Sequence, residues 1–353
     1  MQTFKELNEQ QLNAILAKTA NVKIGLIGDL CLDIYWKADM KRSELSRETP
    51  HYPLPVVGES MSPGGGGNAC ANIAALKPAR VEAIGVIGND WRGNALLTEL
   101  KKRGIGDESL VISDEVITNA YCKPIRMGIS HVEYEDPRLD FCNYKPLPAT
   151  AEKALLERMA VVVKDLDVLC VSDQMMYGCI TPGIRQQLMK YAAEGLKVIV
   201  DSRDRIGEYK GVIMKPNEIE GWRMVHGTDK GRIDTFDVYA ETLKKLVQIN
   251  KAPVCMTLGD KGCLYSDEQQ MIHIEAYSVE PPIDIVGAGD TFLAAFGVAI
   301  GAGIEPSLAA SFGNLASSIT VKKIGTTGTA SPEELVEKVS SFEFEVSSLR
   351  FTV

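Results

Sequence analysis

The 353-residue sequence contains no GxxxxGK[ST] run, so a P-loop is excluded as a phosphate site. The segment GLIGDL, which ends the first strand-like run, lacks the GxGxxG pattern, and a dinucleotide fold is disfavoured with it. Eight cysteines (31, 70, 122, 142, 170, 179, 255, 263) include no CxxC pair, and His51, His131, His226 and His273 stand at no metal-ligand or triad spacing. These thiols read as reduced and mostly buried in a cytosolic protein, and the histidines as structural or solvated. No uncharged apolar run approaches bilayer length, and the start MQTFKELNEQQLNAILAKTA is polar and helical, without the basic-then-apolar order of a signal peptide. A cytoplasmic location with no membrane partner is the expectation. Cations are also short, 38 Lys and Arg against 47 Asp and Glu, and the net charge of -9 works against non-specific binding to nucleic acid or anionic lipid.

What is present is the composition of a globular chain, 45% hydrophobic and 24% charged. Short β-rich runs at 22–28, 81–88, 167–173, 197–202, 211–217 and 253–259 alternate with helical patterns at 68–77, 91–103, 182–195 and 234–249. The strands are apolar on both faces, which predicts an α/β fold with a buried, layered sheet. Ligands of such sheets lie beyond the strands' carboxyl ends, where Asp29, Asn89, Asp90, Asp173, Asp201, Asn217, Gly259 and Asp260 follow the runs. Two stretches, about 34–60 and 119–145, favour strands without a following helix and read as a small lid. The last dozen residues, FEFEVSSLRFTV, alternate like an edge strand.

The segment Asp284-Ile285-Val286-Gly287-Ala288-Gly289-Asp290 runs into TFLAAFGVAIGAG, an apolar helix predicted over 291–303. Small residues before a helix leave its first amides free, and those amides with the helix dipole attract an anion. A phosphoryl group in transfer is such an anion, and Asp290 is placed to take a proton from an attacking hydroxyl. Other segments read two ways. Gly64 to Gly67 with Asn68 forms either a hinge or a close backbone approach to a ligand, with Asn68 as helix cap or hydroxyl-binding amide. Asp33 is a turn residue or an acceptor for hydroxyls. Asn217-Glu218-x-Glu220 caps a helix or organises a hydrated magnesium ion. Thr257 to Gly262 is a hairpin turn or a nucleotide path.

In order and spacing these segments resemble the PfkB (ribokinase-like) family of carbohydrate kinases, from about residue 22 to 335. The Gly-Gly run leading into an Asn-containing helix looks like Gly64 to Asn68, and D-T-x-G-A-G-D looks like Asp284 to Asp290, with Ile285 in place of Thr. GDLCLDIYW, LPVV, PGGGGNACANIAAL, RLDF, MTLGDKG and KKIGTTGT make the chain look most like the heptose 7-phosphate kinase branch, the kinase half of bifunctional ADP-heptose synthesis proteins. The resemblance implies one kinase domain over 1–353, a three-layer αβα sandwich with a β-strand lid. It implies Asp290 as general base, an anion hole from Gly287, Ala288 and Gly289, sugar contacts from Asp33, Gly65, Gly66 and Asn68, and a nucleotide site along Thr257, Gly259 and Gly262. Asn217 and Glu220 would orient magnesium, through water, and ATP phosphate. Lys123, Arg126, Arg138 and Arg203 are candidate ligands for a substrate phosphate. A monovalent cation is expected near Asp284 and the 322–327 loop, and a homodimer from the lid's open edges. The chain departs from the branch at 44–51 and carries Asp201-Ser202-Arg203-Asp204 where the branch has Asp-Pro-Lys-Gly. Its sequence has no counterpart of the nucleotidyltransferase half. Two other readings stay open: a nucleoside kinase using Tyr35, Trp36 or Tyr121 to stack a base, and a sugar-binding regulator without catalysis.

Overall fold

The computed structural model describes residues 2–350 except 129 and 131; His131 and the side chains of 342–350 lie outside that description. The buried runs form a ten-stranded sheet in the order Gln2–Phe4, Met271–Ile274, Cys263–Ser266, Val254–Thr257, Ile213–Met214, Lys197–Ser202, Val168–Asp173, Lys23–Gly28, Arg80–Gly88 and Leu110–Ser113. Pairing is parallel except on either side of Cys263–Ser266. In Lys23–Gly28 every residue after Lys23 is buried, as a strand covered on both faces requires. One apolar layer packs the helices Glu9–Thr19, Gly66–Ala75, Trp91–Lys102, Ala288–Gly301, Pro306–Thr320 and Pro332–Arg350. The other packs Ala149–Val162, Pro182–Ala193 and Phe236–Asn250. The result is the expected αβα sandwich.

Because the central strands run parallel, Asp29, Asp173, Arg203, Lys215 and Thr257 follow or end their strands on one rim. Asp29 is used up structurally. Its buried carboxylate accepts N–H groups from Gln174, Met175 and Cys179 at 2.7–3.0 Å, and burial pushes its pKa up to about 6. The chain then leaves the sheet as Leu30–Asp39, the central lid strand, with Val56–Gly65 antiparallel on one side and Asn119–Met127 parallel on the other. Glu133–Glu135 and Leu139–Phe141 both pair with Asn119–Met127 and complete the lid.

Three expectations change. The sheet gains the strand Gln2–Phe4, which lies beside Met271–Ile274. The C-terminal alternation is not a strand: Ser331 and Glu334 exchange hydrogen bonds as a capping box, and the helix Pro332–Arg350 runs through 342–350; residues 351–353 lie outside the described residues. Helix 291–303 begins three residues early, at Ala288, so Asp290 belongs to its first turn.

Candidate active site

The helix Ala288–Gly301 has an apolar body, Thr291 to Ile300 all buried, and lies close on the sheet. Gly297 permits that approach, since a Cβ there would stand 2.5 Å from the Cys170 sulfur. Gly287 caps the helix with φ +83°, a left-handed conformation that turns the chain so the first amides face outward. The Ala288 N–H donates to Ile285 O at 3.1 Å, so it is not a free donor as the sequence suggested. Among the described residues, the N–H groups of Gly287, Gly289 and Asp290 meet no acceptor, and they define the anion-attracting end.

Asp290 is half-buried in that turn. Asn68 Nδ2 donates to its Oδ2 at 2.7 Å. The orientation of the Asn68 amide is fixed from behind: Asn72 Nδ2 donates to Asn68 Oδ1 at 3.3 Å, and Thr291 Oγ1 donates to Asn72 Oδ1 at 2.8 Å. A relay through the helix Gly66–Ala75 thus returns to the helix that carries Asp290. Burial raises the Asp290 pKa to about 6, Asn68 opposes that rise, and the neighbouring charges of Asp201 and Asp33 add to it while Lys215 subtracts.

Lys215 and Asp201 form a buried ion pair at 3.2 Å that the sequence reading missed as a unit. Burial disfavours the Lys215 charge, but Asp201, Glu220 and Asp290 together keep its pKa raised. One ammonium thus pairs with Asp201 and feels the charges of two further carboxylates. Asn217 is a cap: its Oδ1 accepts from Ile219 and Glu220 N–H, and its own N–H donates to Glu220 Oε2 at 2.8 Å. This holds Glu220 by Oε2, and among the described residues Oε1 meets no hydrogen-bond donor. Burial, then Asp201, raises the Glu220 pKa. The excess negative charge and the free oxygen suit a hydrated divalent cation, which usually keeps several waters. Thr257 lies beside Asn217 through a parallel bridge, and its N–H donates to Pro216 O at 3.0 Å. Gly259 and Gly262 follow with φ +59° and +84°, forming the turn above it.

On the lid, Lys123 Nζ contacts Asp33 at 3.0 Å and the Tyr35 hydroxyl at 3.1 Å. Asp33 Oδ1 and the hydroxyl of Ser62, which is opposite Asp33 across the strands, are both buried and, among the described residues, have no hydrogen-bond partner. Such orphaned oxygens are rare and costly. Gly64 leaves them room, because a Cβ there would be 2.3 Å from Asp33 Oδ1. Gly65, with φ +55°, turns the chain into the helix, and Gly66 N–H donates to Asp29 O at 3.0 Å. Arg138 reaches Asp140 with two bonds of 2.6 and 2.7 Å and covers the Tyr121 ring at 4.1 Å. Arg126 does not join the group. It is three residues from Lys123 on one strand, hence on the other face of the lid, and pairs with Asp136 at 2.6 Å. Near the helix, Asp284 accepts from Val286 and Gly325 N–H, while Lys322 Nζ donates to the carbonyls of Glu280 and Pro282. Those two carbonyls, suitable for a monovalent cation, already hold an ammonium.

The pfkB family carbohydrate kinase pattern matches residues 32–334. The bifunctional protein HldE of Citrifermentans bemidjiense is 27% identical over 337 residues, covering 94% of this chain and 66% of that protein. HldE of Pseudomonas syringae is 30% identical over 317 residues, with 87% and 62% covered. The chain thus spans about two thirds of the length of these relatives. Escherichia coli phosphofructokinase-2 in complex with fructose-6-phosphate superposes with a TM-score of 0.70 at 20% identity, over 91% of this chain and 99% of that one. Arabidopsis thaliana ribokinase complexed with ribose and ATP gives 0.67 at 18% identity, over 90% and 99%. These two likenesses establish the ribokinase-like fold. From the extent of the family match, the chain belongs to the pfkB family of carbohydrate kinases.

Proposed function

We propose that the chain transfers the terminal phosphate of ATP to a hydroxyl of a phosphorylated sugar, heptose 7-phosphate being the acceptor class, with Asp290 taking the proton. The carrying observation is Asp290 held by Asn68 in the first turn of a helix whose Gly289 and Asp290 N–H groups meet no acceptor among the described residues. The bifunctional HldE relatives support the branch, and the phosphofructokinase-2 and ribokinase complexes support a sugar acceptor with ATP as donor. In this reading a sugar under the lid donates a hydroxyl to Asp33 Oδ1 and pairs with Ser62, and its phosphate lies toward Lys123 and Arg138. ATP runs across the turn from Thr257 to Gly262. Magnesium, held through water by Glu220, would supply positive charge to the phosphates when bound. The chain's own groups position the reactants, exclude water with the lid and accept the proton at Asp290. A cytoplasmic homodimer forms part of this proposal.

A nucleoside acceptor needs an open aromatic face, and the faces of Tyr35 and Tyr121 are covered by Lys123 and Arg138. Trp36 alternates to the other side and bonds Glu59. The test is ADP release with MgATP against hexoses, heptoses, their phosphates and nucleosides. Turnover confined to phosphorylated sugars, falling on the order of 100- to 10,000-fold in Asp290→Asn, is expected. Unchanged turnover in that variant sinks the mechanism, activity on a free sugar or nucleoside overturns the acceptor, and no ATP consumption by wild type favours a regulator.

A further inference from the structure

The basic side chains around the site differ in what already neutralises them. Lys123 is paired with Asp33, Arg126 with Asp136 and Arg138 with Asp140. Arg203 is exposed and, among the described residues, has no carboxylate within ion-pair distance. Its turn is nevertheless braced. The Arg203 N–H donates to Asp173 O at 3.2 Å, Arg223 Nη1 reaches Arg203 O at 3.4 Å and Asp204 at 2.8 Å, and Arg205 is anchored on the Asp173 carboxylate. An unpaired guanidinium on a fixed turn at the strand-end rim is prepared for an anion from outside the protein.

Location tells which anion. Arg203 follows Asp201 by two residues, Arg223 of the helix that Asn217 caps reaches its carbonyl, and its charge acts on Asp201 and Glu220. Arg138 instead acts on the Asp33 side, through Asp140 and Tyr121. The two cations therefore belong to different parts of the site, Arg203 beside the helix that Asn217 caps and Arg138 on the lid over Tyr121.

We propose that Arg203 contacts the terminal phosphate of the donor nucleotide, not the phosphate of the acceptor sugar. This inference rests on the kinase reading above. In the step it serves, the acceptor oxygen bonds to the terminal phosphorus as its proton passes to Asp290. The bond from that phosphorus to the β,γ-bridging oxygen breaks, and its electron pair leaves with ADP. The guanidinium holds the charge on the transferring group by two parallel hydrogen bonds, which Lys cannot reproduce.

The experiment compares Arg203→Gln, Arg203→Lys and Arg138→Gln. Calorimetric titration without acceptor, using the magnesium complexes of AMP-PNP and ADP, reads the terminal phosphate alone. Wild type is expected to bind AMP-PNP more tightly than ADP, and Arg203→Gln to abolish that preference. Kinetics with heptose 7-phosphate are expected to show kcat reduced on the order of 100-fold in Arg203→Gln with acceptor KM within about twofold, and a smaller recovery in Arg203→Lys. Arg138→Gln is expected to raise acceptor KM and keep the AMP-PNP preference. A raised acceptor KM with unchanged kcat in Arg203→Gln overturns the proposal, as does an intact AMP-PNP preference. Lack of turnover by wild type on any phosphorylated sugar would count against the kinase reading, while the titration would still decide the contact of Arg203.

Discussion

Replacing Asn68 with Ala should move the acidic limb of kcat/KM toward higher pH. Asp290 must be ionised to accept a proton, and in the free protein its pKa is raised to about 6, chiefly by burial. The Asn68 amide resists that rise through a 2.7 Å bond to the carboxylate. A hydrogen bond to a charged group contributes about 1.5–3 kcal/mol. At about 1.36 kcal/mol per pKa unit, losing it lifts the group by about 1–2 units, to about 7–8. At pH 7 the wild type is about one-tenth protonated, whereas the variant would be half to nine-tenths protonated. The expected loss in kcat/KM is therefore about two- to tenfold at pH 7, beyond any pH-independent effect on sugar binding, and this part recovers by about pH 9. The assay is ADP release at limiting acceptor from pH 5 to 9.5, with Thr291→Val as a milder break in the same relay. A wild-type limb near pH 4, or a limb that stays in place in Asn68→Ala, would refute the argument.

Other consequences concern stability and shape. The raised folded-state pKa of Asp290 means that its contribution to stability is present below the unfolded value near 4 and is lost as pH rises through about 6. Asp290→Asn should consequently melt higher than wild type at pH 8, by at most about 3 kcal/mol from the shift and less for a half-buried group, with the gap closing toward pH 4 in thermal scans. Lys215→Met strands the buried Asp201 and should cost about 3–5 kcal/mol in urea unfolding, much of it restored by adding Asp201→Leu; an unchanged midpoint would contradict the ion pair's role. Gly64→Ala drives a Cβ to 2.3 Å from Asp33 Oδ1, so acceptor KM should rise at least about tenfold while AMP-PNP affinity is retained.

The parts of the site written locally were legible in the sequence. Glycines beside Asp290 before an apolar helix announce a helix terminus, and Asn217 with Glu220 announces a cap, because each signal depends on residues within one turn. Lys215 carries no local signal, since its partner Asp201 belongs to a neighbouring strand and only parallel pairing of Lys197–Ser202 with Ile213–Met214 brings them together. Charge alone groups Arg126 with Lys123, whereas a period-2 count over Asn119–Met127 separates them onto opposite faces of the strand. The C-terminal FEFEV pattern misled because alternation over a few residues is weak against a capped helix start at Ser331 that propagates forward.

The pairing of Gln2–Phe4 with Met271–Ile274 also bears on how the chain is made. The Leu7 N–H likewise closes on the Tyr277 hydroxyl across 270 residues. A ribosome adding about 5–20 residues per second keeps the first strand waiting for some 15–50 seconds before its neighbour exists. During that interval the growing sheet has an unfinished margin, and a chaperone or a bulky amino-terminal tag would compete for it. Synthesis order, more than final stability, should then govern the yield of folded protein from tagged versions of this chain.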